Sequence, residues 1–326
     1  MVLAEGEEEL GSPNYPELVD HFEERLRTAD GVFFPFNSQS LTGEIRLSMG
    51  VKGILYFEME AKGGDWGGPT YSEIHGSYKA LVDAPVLRLA QALASMTTPD
   101  DGNTILIDGY YDNVRPPTEE EQRLINGALK NWDEAGIKKL LNVEKWIDGI
   151  SGEEALLRYL YEVTLNVDGI WGGYTGEGVK TILPHVATAK VDSRLPPNVD
   201  PDHSLELVRA HLDKHGFADI ELRKLSSYPA AQTSVEAPLV QAAISVFNKW
   251  RSTKEIWPRL AGSAPFYQFT ERLGLPLVFN GLGHGSGAHA PNEYMVIEPA
   301  EGSSVAGLAE IEKSYVDLLF AFAAAQ

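Results

Sequence analysis

The chain has 326 residues, of which 43% are hydrophobic, and its 27 basic and 47 acidic side chains give a formal net charge of −20. This length and apolar content suit one large or two ordinary globular domains. The negative charge opposes the polyanionic surfaces of nucleic acid and anionic lipid, so neither is expected as a partner. The absence of cysteine excludes disulfides, thiolate metal sites and a cysteine nucleophile. No run approaches the roughly 20 apolar residues that a membrane helix needs, and we expect a cytoplasmic protein.

The first segment, "MVLAEGEEELGS", combines a short apolar run with an acidic turn. Residues 1–4 predict the end of a buried strand, because Gly6 bounds the run. Four carboxylates follow within five residues and would repel one another unless a cation or water lay between them. A solvated acidic turn is the alternative interpretation.

The next elements alternate between helix and strand. A helix is predicted from Asn14 to Arg27, because Leu18, Phe22 and Leu26 form one apolar stripe. The stretch "IRLSMGVKGILYFEMEAK" alternates well enough for two strands or one long strand. A helix opened by Asp83 is predicted to end at Met96.

The middle of the chain is predicted to be helical and the remainder to be mixed. Two capping boxes have the correct spacing: Thr118 with Glu121, and Ser151 with Glu154. The stretches "TLNVDGIWGG" and "KTILPHVATAKVDSRL" predict strands, followed by a helix from about 204 to 216 and the strand "DIELRKL". A helix over 239–250, the strand "PLVFNGLG", a glycine-rich loop and a closing helix from about 304 complete the chain.

These elements suggest an α/β protein with two domains. Residues 50–225 predict strands with helices packed on one side of them, inserted between the flanking segments 1–49 and 226–326. The flanking segments are expected to come together as a separate α/β unit, although fewer than fifty residues precede the insertion.

Six short motifs occur in the order found in one enzyme family: "EGEEELGS", "GVKG", "EIHGSY", "KTILPHVATAKVDSRLPP", "LAGSAPFYQF" and "GSGAHAPNE". The chain resembles the two-zinc peptidases and deacylases that include carboxypeptidase G, carnosine dipeptidases, acetylornithine deacetylase and succinyl-diaminopimelate desuccinylase. The resemblance implies a zinc-peptidase-like α/β catalytic domain, here incomplete at its amino end, with an inserted α+β lid that also forms a homodimer. It further implies a substrate that is a small peptide or an N-acyl amino acid.

The resemblance also implies roles for eight residues. Glu8 matches the general base, and Glu9 and His289 match zinc ligands; His284 lies outside the matched position. A carboxylate near a metal-bound water fits amide hydrolysis, because the metal lowers the pKa of that water. The lid residue His75 matches the donor that stabilises the oxyanion in the neighbouring subunit. The expected substrate contacts, which should face one cavity, are Thr181, Arg194, Gly262 and Ser263.

The chain also departs from the family pattern. The family takes a histidine ligand and a bridging aspartate from a region before "EGEEE", and a further acidic ligand is expected where this sequence has Pro35 and Phe36, with no carboxylate until Glu44. Only two zinc ligands are then assignable, so we expect weak zinc binding and the carboxyl-terminal portion of a longer hydrolase. Two functions remain open: a metal-dependent amide hydrolase, and a non-catalytic homologue that dimerises or binds a ligand.

Overall fold

A computed structural model describes residues 1–8, 11–250, 253–287 and 291–325. The chain forms two compact units, each built from discontinuous segments. We call the first the terminal unit; it comprises Met1–Lys52, Pro116–Tyr161 and Ala230–Gln326. The second, the inserted unit, comprises Gly53–Arg115 and Glu162–Pro229.

Helices and strands alternate along much of the chain. The α-helices are α1 Tyr15–Leu26, α2 Pro85–Ser95, α3 Glu119–Ala128, α4 Glu134–Leu141, α5 Gly152–Tyr161, α6 Pro201–Lys214, α7 Pro238–Trp250, α8 Tyr267–Thr270 and α9 Leu308–Ala324. The first strands are β1 Val32–Asn37, β2 Ile45–Ser48, β3 Gly50–Lys62, β4 Ile74–His75, β5 Asn166–Gly172, β6 Ile182–Leu183 and β7 Val186–Leu195. The later strands are β8 Glu221–Tyr228, β9 Ala231–Gln232, β10 Thr253–Trp257, β11 Leu260–Ser263, β12 Leu277–Gly281, β13 Gly285–Ser286 and β14 Tyr294–Met295.

The terminal unit contains a mixed sheet with the strand order β1-β12-β2-β10. Strand β1 runs parallel to β12, and β10 runs parallel to β2, while β12 and β2 are antiparallel. Helices α7 and α9 pack against each other beside this sheet. Burial explains the arrangement, because α7 places Leu239, Ala243 and Phe247 at helical spacing in a core shared with Ile45 and Val278.

Residues 116–161 belong to the terminal unit, which differs from the expected continuous lid over 50–225. Their helices bury Ile125, Leu156 and Leu160 against Trp257 of β10. The same contact encloses an ion pair between Glu121 and Arg259. Since this packing partner lies about a hundred residues further along the chain, local sequence patterns did not indicate it.

The inserted unit confirms the expected antiparallel sheet with helices on one face. Its strands pair in the order β8-β3-β7-β5, all antiparallel. Helix α2 packs on β7, and α6 packs on β8. Alternating side chains of β7, such as Ala189 and Val191, point into the core beneath these helices. The other face of the sheet therefore carries the polar residues of the same strands.

Several local predictions can be compared directly with the structure. The predicted strand at 1–4 is wrong: these residues form no strand, and Val2 is 91% exposed. The capping box of Thr118 and Glu121 is confirmed, because the Thr118 side chain accepts from the Glu121 N–H and the Glu121 side chain accepts from the Thr118 N–H. The closing helix begins at Leu308, four residues later than expected. Within the described residues, every helix is too short or too polar to span a bilayer.

Candidate functional site

The acidic turn before α1 is held together by its own hydrogen bonds. Ser12 Oγ donates to Glu5 Oε1 at 2.8 Å, and Asn14 Nδ2 donates to both carboxylate oxygens of Glu7 at 3.0 and 2.8 Å. Burial and the nearby Glu5 charge raise the pKa of Tyr15 to about 12. Glu5 and Glu7 thus fold the turn without requiring a cation between them. Glu8 is exposed beside them, and the expected ligand Glu9 lies outside the described residues.

The glycine-rich loop near the second expected ligand is anchored by a different histidine. His284 Nδ1 donates to the Gln39 carbonyl at 2.7 Å, and its Nε2 accepts from the Tyr294 hydroxyl at 3.1 Å. The Gln39 side chain in turn accepts from the N–H groups of Gly283 and Ala306. Both nitrogens of His284 are therefore used in fixing the loop. The expected ligand His289 lies outside the described residues.

The described residues do not by themselves supply a zinc centre. Over the described ranges, which omit both expected ligands, no group of three or more His, Cys, Asp or Glu side chains is placed to hold a metal. Strand β1 carries Pro35 and Phe36 where the family pattern implied an acidic ligand. Proline has no backbone N–H to donate to a neighbouring strand. It is tolerated in β1 because β1 lies at the edge of its sheet.

Two of the expected substrate contacts lie on β11 of the terminal unit. Ser263 is in register with Lys52 of β3, after an irregularity that follows Leu260. A Cβ added at Gly262 would meet nothing within 4 Å, so the open space beside this residue is not filled by the protein. Gly262 and Ser263 form the end of strand β11.

His75 and Thr181 lie side by side in the inserted unit. The short strands β4 and β6 pair with His75 opposite Ile182, and the Gly76 N–H donates to the Thr181 carbonyl at 3.0 Å. The Ser77 N–H donates to His75 Nδ1 at 3.2 Å. A neutral His75 therefore carries its proton on Nε2, the nitrogen that can donate to a ligand. Both side chains are exposed.

Arg194 lies near the end of β7, on the sheet face that the helices leave open. Its side chain is 37% exposed, and its Nε donates to Asp192 Oδ1 at 2.9 Å. Thr181 precedes Val186, the first residue of β7. Arg194 lies eight residues after Val186, which is about 26 Å along the strand at a rise of about 3.3 Å per residue. The structure thus pairs Thr181 with His75 and places Arg194 in a different cluster.

Sequence reasoning missed the polar residues around Arg194. Asp192 is 6% exposed, and its Oδ2 accepts from Asn166 Nδ2 at 3.0 Å. Asp168 and Tyr56 complete the cluster, which comes from three adjacent strands. Alternation within "KVDSRL" was the available signal, because it places Asp192 and Arg194 on the same face.

The expected site residues divide between the two units. Glu8, Gly262 and Ser263 belong to the terminal unit, and His75, Thr181 and Arg194 belong to the inserted unit. A single cavity containing Thr181, Arg194 and Ser263 therefore stays a prediction.

Comparison with known proteins agrees with the motifs. The family model for the M20 peptidase dimerisation domain matches residues 50–219. The chain is 29% identical over 217 residues to mouse (Mus musculus) Beta-Ala-His dipeptidase, covering 65% of this chain and 41% of that protein. It is 26% identical over 311 residues to the Cys-Gly metallodipeptidase of Saccharomyces cerevisiae, covering 90% of this chain and 60% of that protein. The chain thus spans about half the length of these curated relatives.

The solved structures give the same result for the fold. An M20 family metallo-carboxypeptidase from Sulfolobus solfataricus superposes with a TM-score of 0.80 at 33% identity, covering 98% of this chain and 67% of that one. Human carnosine dipeptidase 1 superposes with a TM-score of 0.72 at 24% identity, covering 98% of this chain and 64% of that one. The match over 50–219 and the identity to the archaeal enzyme carry the assignment: this chain belongs to the M20 peptidase family.

Proposed function

We propose that this chain acts as a metal-dependent hydrolase of amide bonds in small peptides or N-acyl amino acids. The observation that carries the proposal is the contact of His75 Nδ1 with Ser77, whose backbone N lies 3.2 Å and whose Oγ lies 2.8 Å from that nitrogen. With Nδ1 accepting from the Ser77 N–H, the exposed ring presents an Nε2–H donor. Such a donor stabilises an oxyanion as it forms during attack on an amide carbonyl.

The remaining roles follow the family pattern and are part of the same proposal. Glu8 is the general base that takes the proton of the attacking water, and Arg194 binds the substrate carboxylate. Thr181 contacts the substrate carbonyl, and Gly262 and Ser263 lie beside the substrate carboxylate. Glu9 and His289 would hold zinc, which would lower the pKa of a water molecule.

We also propose that the protein is a homodimer formed through the inserted unit. Strand β5 is an edge of the sheet in that unit, and it exposes Val167, Ile170 and Trp171 by 45%, 49% and 45%. An apolar edge strand is a ready surface for pairing with a second chain. Because His75 and Thr181 lie on one ribbon, they would enter the partner's site together. A cytoplasmic location remains a prediction.

Turnover tests the hydrolase proposal. The full chain, dialysed with zinc and checked for metal by elemental analysis, is assayed with Beta-Ala-His and Cys-Gly, the dipeptides named for its relatives. Glu8→Gln should lower kcat by about 100-fold or more, since it removes the general base. The exposed glutamate Glu24 of α1 offers a matched control, and Glu24→Gln should leave kcat unchanged.

A second candidate function is a non-catalytic, ligand-binding homologue, which the absence of an acidic residue at Pro35 and Phe36 favours. Binding of a dipeptide without any turnover in zinc would support this candidate. A chain that neither turns over nor binds these dipeptides would overturn both proposals.

A further inference from the structure

We propose that Asp192 is the positioning residue that aims the Arg194 guanidinium, and that Asp168, carried on a β-bulge and joined to Asp192 through the Asn166 amide, controls the charge beside it. The inference rests on the proposed role of Arg194 in binding a substrate carboxylate. It assigns roles to Asp192 and Asp168, for which the resemblance implied none.

Both carboxylate oxygens of Asp192 accept hydrogen bonds, and together these bonds fix the orientation of the side chain. Oδ1 accepts from Arg194 Nε at 2.9 Å, and Oδ2 accepts from Asn166 Nδ2 at 3.0 Å. The Arg194 main chain is tied to Thr164 as well, because its N–H donates to Thr164 Oγ1 at 3.0 Å and its carbonyl accepts from the Thr164 N–H at 3.2 Å. The buried carboxylate of Asp192 thus sets the direction in which the long arginine side chain leaves the sheet.

A bulge in β5 brings the second carboxyl group to this point. Asn166 pairs with Asp192, but Gly169 pairs with Lys190, so Asp168 is the extra residue of the strand. In an unbulged ladder Asp168 would stand opposite Lys190 and form an ordinary cross-strand ion pair. At the bulge, Asp168 Oδ1 instead accepts from Asn166 Nδ2 at 2.9 Å, and the same nitrogen donates to Asp192. Bulges that re-aim one side chain in this way are common beside functional sites.

The Asn166 amide lies between the two carboxyl groups, because its Nδ2 donates to Asp168 Oδ1 at 2.9 Å and to Asp192 Oδ2 at 3.0 Å. Burial, followed by the charge of Asp192, raises the pKa of Asp168, while the Arg194 charge and the Tyr56 hydroxyl oppose that rise. Burial also raises the pKa of Tyr56, so its hydroxyl remains a donor. On the same face, Lys190 lies opposite Glu58, and Glu58 is paired with Arg223. Further along the strands, Lys62 forms ion pairs with Glu60 and Glu221.

The charge of Asp168 links the aim of Arg194 to pH. With Asp168 protonated, Asp192 alone of the two carboxyl groups presents a negative charge to Arg194. When Asp168 loses the proton, a second negative charge faces the guanidinium and competes with an anionic ligand. Affinity for a carboxylate ligand should therefore fall as pH rises through the raised pKa of Asp168.

Two variants separate the roles of the two acids. Asp192→Asn cannot accept hydrogen bonds on both sides, so either Arg194 or Asn166 then faces an amide N–H. Asp168→Asn reproduces the uncharged state of Asp168 at every pH, since an amide does not titrate in this range. Asp192→Glu keeps the charge on a longer side chain, and the exposed Asp100 provides the matched control Asp100→Asn.

The first readout uses the ligand-free full chain. NMR measures hydrogen exchange of the Arg194 Nε–H, which Asp192 protects. We expect Asp192→Asn to speed this exchange at least tenfold, Asp192→Glu to restore part of the protection, and Asp168→Asn and Asp100→Asn to retain it. If the role of Asp192 were purely structural, Asp192→Asn would change the unfolding midpoint without selectively speeding the exchange of the Arg194 Nε–H. Unchanged exchange of this proton in a folded Asp192→Asn chain would overturn the inference.

The second readout is calorimetric binding of N-acetylglycine between about pH 4.5 and 7.5, above the ordinary range of a free carboxyl. We expect Asp192→Asn to weaken binding at least tenfold, and Asp168→Asn to remove the pH dependence. If Arg194→Ala leaves binding unchanged, the proposed carboxylate role of Arg194 is wrong. If Arg194→Ala weakens binding and Asp192→Asn does not, only the positioning inference is wrong. A wild-type pH profile in Asp168→Asn would overturn the role of Asp168.

Discussion

Replacing Glu121 by Gln removes one charge from an ion pair that water does not reach. The Arg259 side chain is 0% exposed and the Glu121 side chain is 5% exposed. Arg259 also donates to Gln232 Oε1 at 2.9 Å and lies 4.2 Å from the centre of the Tyr161 ring. The pair therefore connects the helical segment 116–161 to the strands of the terminal unit.

The expected cost follows from the charge that remains. Glu121→Gln keeps the capping box, because Gln at this position can still accept from the Thr118 N–H, which Glu121 Oε2 does at 2.8 Å. It removes the negative charge of Glu121 from a buried ion pair with Arg259, and breaking such a pair costs about 3–5 kcal/mol. Thr118→Ala is the matched control, because it removes the cap alone at about 1 kcal/mol.

Urea denaturation followed by tryptophan fluorescence measures this difference. Trp257 and Trp132, whose rings lie 5.9 Å apart, report on the same cluster as the ion pair. The double variant Glu121→Gln with Arg259→Met should recover part of the loss, since it removes both charges. A Glu121→Gln cost no larger than that of Thr118→Ala would refute the reasoning.

Two further predictions concern the inserted unit. A Cβ at Gly63 would lie 1.9 Å from the Pro69 carbonyl oxygen, so Gly63→Ala should cost at least about 1–3 kcal/mol of unfolding free energy in urea. Gly64→Ala, where nothing lies within 4 Å, should cost little, and equal costs would contradict the argument. Burial lowers the pKa of His211 in the folded chain. As pH falls, His211 therefore takes up a proton at a higher pH in the unfolded chain than in the folded chain. The free energy of unfolding should then decrease as pH drops below about 6.5. His211→Gln should weaken this dependence of the unfolding free energy on pH, as measured by urea titrations at several pH values. An unchanged dependence would show that other groups cause it.

Patterns of short range predicted much of the fold. The alternation in β3 and β7 indicated the antiparallel sheet, and the spacing of Thr118 and Glu121 indicated the capping box that the structure contains. These features depend on neighbours within a few residues, or on which face of a strand is apolar. The apolar run at 1–4 failed as a strand prediction, because four residues cannot by themselves distinguish a buried strand from an exposed segment.

Contacts between distant residues account for what the sequence did not reveal. The burial of Trp257 beneath α3 and α5 assigns residues 116–161 to the terminal unit, and no local pattern encodes that contact. The bulge at Asp168 is equally hidden, since it depends on the register of β5 against β7. The motifs located His75 and Arg194, but the neighbours that set their chemistry, Ser77 and Asp192, are visible only in three dimensions.

The order of the strands in the terminal unit sets a delay in its assembly on the ribosome. Strand β1 has its ladder partner in β12, and 243 residues separate Ser38 from Gly281, whose carbonyl accepts from the Ser38 hydroxyl. At a synthesis rate of about 5–20 residues per second, this interval lasts about 12–50 s. During that time the apolar side chains of β2 have no completed sheet to cover them.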